Sequence, residues 1–131
     1  MNRTELRGHV FKILFQMEFN DPEGMTELLD LYVENLDHAG EQDIEYIRKK
    51  SRAVQEKTSE IDALINEKSQ GWKTNRMNKV DLAILRLAVY EMKWDDDIPV
   101  GVAINEAVEL AKRFSGEDGP SFVNGVLARL A

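Results

Sequence analysis

The sequence predicts an all-α protein, a compact single-domain bundle of about seven helices, on three observations. Apolar residues recur at steps of three and four, no segment alternates with period two, and glycine and proline cluster between the helical stretches. The length, 131 residues, suits one ordinary domain, long enough to bury roughly 68 to 70% of its unfolded surface around one core.

Leu6, Val10, Ile13, Leu14 and Met17 share one helical face, so a first helix is expected from about Asn2 to Asn20, ending before Asp21-Pro22. Phe11, Phe15 and Phe19 form a second row spaced by four, which Arg3 and Arg7 extend toward the N-terminus. A second helix is expected over about Met25 to Leu36, carried by Leu28, Leu29, Tyr32, Val33 and Leu36, with Gly40 as its stop signal.

Ile44, Ile47, Ser51, Val54, Thr58, Ile61 and Ile65 alternate steps of three and four in the manner of a heptad seam. Ser51 and Thr58 interrupt it, and Ser59 with Asp62 resembles a capping arrangement, so two consecutive helices are expected there. A short element follows over Trp72 to Lys79. Val80 to Trp94 is apolar nearly all round, as a central buried helix should be. Pro99 suits the first turn of a helix running to Phe114. The loop Ser115 to Pro120 then precedes a last helix carried by Phe122, Val123, Val126, Leu127 and Leu130.

Cysteine is absent, which excludes disulfides and thiolate zinc sites, and only His9 and His38 remain as nitrogen ligands. No run approaches 18 apolar residues, and the N-terminal stretch carries Arg3, Glu5 and Arg7 without a cleavage-site pattern. The expected compartment is the cytoplasm, with no membrane involvement. Formal net charge is -7, concentrated between Asp21 and Gly71, where six basic residues face thirteen acidic ones. That distribution argues against strong unaided nucleic-acid binding and offers an acidic flank to a basic protein partner.

Catalytic patterns are missing. The two histidines carry no ligand motif, the Asp95 to Asp97 run is a single loop rather than a convergent metal site, and the Ser115 to Pro120 loop lacks the Lys-Ser/Thr of a P-loop. No enzyme activity, cofactor or metal is expected. Arg48, Lys49, Lys50 and Arg52 form a basic cluster on the third helix; beside Asp43, Glu45 and Glu56 it reads as a solvated face.

Residues 98–112, IPVGVAINEAVELAK, and 122–127, FVNGVL, closely resemble the NusB family of bacterial transcription antitermination factors. Residues 84–91, ILRLAVYE, together with Trp72, Arg76, Arg7 and residues 13–16, ILFQ, extend the resemblance over most of the chain in family order. The resemblance implies a compact helical fold and binding of boxA RNA in ribosomal transcripts, together with ribosomal protein NusE. The assembly then helps transcribing RNA polymerase resist termination.

On that resemblance the RNA-binding residues are Arg3, Arg7, Phe15, Asp118 and Phe122, and Asp81 belongs to the NusE-facing surface. The chemistry suits those roles: guanidinium groups pair with phosphate, exposed aromatics stack on unpaired bases, and carboxylates accept from base edges. Read from residue chemistry alone, helix solubility and core packing remain open alternatives for the same side chains. Phe15 stands where relatives usually carry tyrosine, and the N-terminal segment is sparser in arginine than in many relatives. The competing reading is a helical protein-interaction or self-association module without direct RNA binding, in which the acidic middle and the Ile44 to Ile65 seam form homo-oligomer contacts.

Overall fold

The computed structural model describes residues 1–69, 71 and 73–131. Trp72, expected in a short element and used as a family anchor, lies outside the described residues. Those residues form seven α-helices and no strand, in agreement with the all-α expectation. They group into two compact units, residues 1–55 and 56–131, each considered by itself.

In the first unit, α1 (Arg3–Met17) starts at Asn2, whose side-chain oxygen accepts from the Glu5 N–H at 2.8 Å. This satisfies one of the orphan donors every helix start presents. The helix stops three residues short of the expected Asn20. There the Phe19 and Asn20 N–H groups bond back to the Gln16 and Met17 carbonyls, and the Asn20 amide donates to Gln16 O at 2.7 Å.

A 3-10 turn (Pro22–Gly24) leads into α2 (Met25–Glu34). The backbone then turns at His38, which takes φ 60°. Gly40 therefore does not stop α2 as expected. It stands at the entry to α3 (Glu41–Glu56), its carbonyl accepting from the Ile44 N–H and its own N–H bonding Asp43 Oδ2. That bond, then the Met1 ammonium at 3.3 Å, holds the Asp43 carboxyl below its ordinary range.

The heptad-like seam is real as burial: Ile47, Ser51, Val54, Ile61 and Ile65 are fully buried. It is interrupted at Lys57, after which α4 (Thr58–Lys68) begins. The expected Ser59-Asp62 cap does not form, because Asp62 is taken by a stronger partner. Its carboxylate accepts from Arg86 Nε at 2.9 Å and from a second guanidinium nitrogen at 2.8 Å, a bidentate pair.

In the second unit a 3-10 turn (Thr74–Arg76) precedes α5 (Lys79–Trp94), and α6 (Val100–Phe114) and α7 (Gly119–Leu130) complete it. These three pack on one another, and α4 packs on α5 and α7. Leu82 to Leu85, Leu87 to Val89 and Glu91 of α5 are all buried, the all-round burial its composition predicts. Pro99 caps α6 from just outside rather than opening it. α7 starts at Gly119, so Gly119 and Pro120, expected in the preceding loop, lie inside its first turn. Lys93 Nζ donates to Leu130 O at 2.7 Å and so caps the far end of α7.

Candidate nucleic-acid interface

The row Arg3, Arg7, Phe11, Phe15, Phe19 is continuous in sequence but divides in space. Arg7 is 4% exposed and Phe11 is buried beside it, whereas Arg3 is exposed, Phe15 half-buried and Phe19 64% exposed. A buried guanidinium persists only where its charge is compensated, and Arg7 does have partners. Arg3 instead lies over the Tyr46 ring, 5.1 Å from its centroid, a cation–π contact that restrains a long side chain before any ligand arrives. Phe15 meets Phe19 edge to face at 5.2 Å and Phe11 at 6.3 Å, so an aromatic ladder climbs from core to surface. Tyr46 was not legible as part of this set, because its partner lies 43 positions away.

Asp81, Asp118 and Phe122 come together in the second unit around a cavity of about 360 Å³, whose walls also include Arg76, Asn78 and Ser115. Its frame is set by helix ends. Asn78 caps α5 by accepting from the Asp81 N–H at 2.8 Å, and donates its amide to Asp81 Oδ2 at 2.8 Å. This reciprocal arrangement also puts a carboxylate at the positive end of the helix dipole. Ser115, where α6 ends, donates its hydroxyl to Asp81 Oδ1 at 2.6 Å.

Gly119 completes this corner. A Cβ there would overlap the Ser115 side chain and touch the Asp81 carboxylate, so only glycine lets α7 start this close to α6. With 5% exposure and accepted hydrogen bonds on both oxygens, Asp81 organises the cavity rather than standing out as an exposed helix-start acid. Asp118 just before α7 is exposed and makes no capping bond with its side chain, leaving its oxygens available. Phe122, one turn on, is half-buried and presents part of its ring to the cavity. The Asn78-to-Asp81 spacing was a readable capping signal; the Ser115 and Gly119 contributions were not, since they depend on how three helices meet.

A helical scaffold offering cations and aromatics from one unit and a carboxylate-lined cavity from the other has the equipment of a binding protein. Among the described residues no cluster of His, Cys, Asp and Glu could hold a metal ion, and no helix is long and apolar enough to cross a membrane. The profile of the NusB family matches residues 4–131. The chain is 53% identical over 131 residues to the transcription antitermination protein NusB of Agathobacter rectalis, covering 100% of both proteins. It superposes on NusB of T. maritima with a TM-score of 0.86 at 40% identity, covering 100% of this chain and 91% of that one. A structure of antitermination factors NusB and NusE in complex with dsRNA is similar at TM-score 0.78 and 26% identity, over 96% of this chain and 92% of that one. The chain belongs to the NusB family.

Proposed function

We propose that this protein is a transcription antitermination factor. It binds boxA-type single-stranded RNA of ribosomal transcripts together with ribosomal protein NusE and acts, by binding alone, on the transcribing RNA polymerase complex in the cytoplasm. The observation that carries this reading is the end-to-end family match joined to the same fold. The whole chain acts as one binding domain.

Arg3, held over Tyr46, supplies a phosphate contact. Phe15 and Phe122 offer ring faces to unpaired bases, and Asp118 accepts hydrogen bonds from base edges. Arg7 contributes from a buried position by keeping α1 in place. Asp81 supports the partner-facing surface through the corner it holds between the start of α5 and the end of α6. The net charge of -7 makes NusE, a basic partner, a precondition for tight RNA binding.

Fluorescence anisotropy with a labelled boxA RNA, titrated with and without NusE across a salt series, tests this. A sharp gain in affinity with NusE, together with weaker binding of a scrambled RNA, supports it. Absence of binding to either RNA, with NusE present and at low salt, sinks it in favour of a protein-interaction module.

A further inference from the structure

The cavity beside the Asp81 corner holds charges that the corner itself leaves unused. Asp81 is engaged on both oxygens by Asn78 and Ser115. Arg76, Glu117 and Asp118 line the same space of about 360 Å³ and are exposed. Among the described residues none of these three side chains has an ion-pair or hydrogen-bond partner. Opposite charges that share a cavity without closing on one another leave room between them, and the lining decides what fits there.

Three carboxylates against one guanidinium repel phosphate, so the RNA backbone is not the occupant. Arg76 in the wall disfavours a cationic side chain for the converse reason. What the lining accepts is a neutral planar group with donors on one edge, acceptors on another and a face for the Phe122 ring. Guanine has that pattern. Its Watson–Crick edge sets two donors side by side, N1–H and the N2 amino group, which one carboxylate accepts together. Its O6 and N7 are the acceptor pair that a guanidinium binds bidentately. None of the other three bases places two donors next to each other.

We propose that this cavity reads an unpaired guanine of the bound RNA, an inference that rests on the RNA-binding reading above. Asp118 accepts from N1–H and the N2 amino group, Arg76 donates to O6 and N7, and Phe122 stacks on the ring. The volume lies within the roughly 300–1,000 Å³ of small-ligand pockets. Arg76 thereby acts on specificity, whereas Arg3 acts on phosphate.

The test is anisotropy of a labelled boxA RNA, titrated with the protein and NusE together, in which each guanine is replaced in turn by inosine and by 7-deazaguanine. Inosine lacks the N2 amino group and 7-deazaguanine lacks N7, so at one position each should cost roughly tenfold in affinity. Asp118→Asn should erase the inosine penalty at that position and keep the 7-deazaguanine penalty; Arg76→Met should do the reverse. A residue that only kept the fold would weaken every RNA alike. Free GMP should displace the RNA only in large excess, because it lacks the other contacts of the chain. Tight RNA binding that is indifferent to every guanine replacement overturns the proposal and leaves the RNA-binding reading in place. Equal weakening of all RNAs by both variants does the same. GMP that competes at the concentration of the RNA itself overturns the RNA source and gives the cavity to a free nucleotide. Asp118→Asn that weakens NusE binding with the base penalties unchanged also overturns it, and makes the cavity a seat for a cation of the partner. No binding of the unmodified boxA RNA sinks the RNA-binding reading and this inference with it.

Discussion

At the scale of the residue, Asp81 shows how a single carboxylate can tie the start of α5 to the end of α6. Removing the Ser115 hydroxyl takes a donor from a buried charged acceptor. Ser115→Ala should therefore cost about 1–3 kcal/mol in chemical denaturation. Gly119→Ala forces the Ser115 side chain away and should cost about 1–3 kcal/mol through overpacking. The double variant Gly119→Ala with Ser115→Gly should recover part of that loss, and a failure to recover would show that the crowding lies elsewhere.

His9 defines a second prediction at this scale. Its Nδ1 lies 2.7 Å from the Tyr32 hydroxyl, and the rings meet edge to face at 5.7 Å. Burial, then the nearby Lys12 charge, lowers the His9 pKa. The unfolded chain thus takes up this proton at a higher pH than the folded one, so stability rises with pH across the ordinary histidine range and is lost as pH falls through it. Denaturation midpoints measured between about pH 7.5 and 5.5 should fall in the wild type and fall less in His9→Gln. Burial raises Tyr32 to about 12. Its contribution is present below its ordinary value near 10 and lost as pH rises toward 12.

At the scale of the element, the outlines of the helices were written in local patterns, and their ends were not. The buried faces of α1, α5 and α7 followed from periodicity alone, as did the burial of Ile47, Val54, Ile61 and Ile65. The start of α4 was misread because a local cap competes with tertiary partners, and that of α7 because a glycine and a proline that read as loop lie in its first turn. Asp62 pairs with Arg86, and Gly119 serves a close approach. Both side chains of the Asp62–Arg86 pair are largely buried, at 23% and 15% exposure. Removing either partner should thus cost about 1–3 kcal/mol by leaving the other unpaired. A double-mutant cycle with Asp62→Asn and Arg86→Met should give a coupling energy of at least about 0.5 kcal/mol; additive losses would show that the two groups act independently.

At the scale of the whole molecule, net charge and the cations that meet phosphate govern how RNA binding should respond to salt. With NusE present, Arg3→Ala should flatten the dependence of log affinity on log salt by about 0.7, the loss of one single-strand phosphate contact. Phe122→Leu should weaken binding while leaving that slope in place, because stacking releases no counterions. Equal slopes for Arg3→Ala and wild type would remove Arg3 from the phosphate contacts. The sequence by itself determined the helical class, the central buried helix and the family, because periodicity and short motifs are properties of neighbouring residues. Only the tertiary structure decided that Arg7 is buried while Arg3 rests on Tyr46, and that Asp81, Asp118 and Phe122 share one cavity. Those outcomes depend on which side chains meet across tens of positions, where packing and desolvation outweigh local spacing.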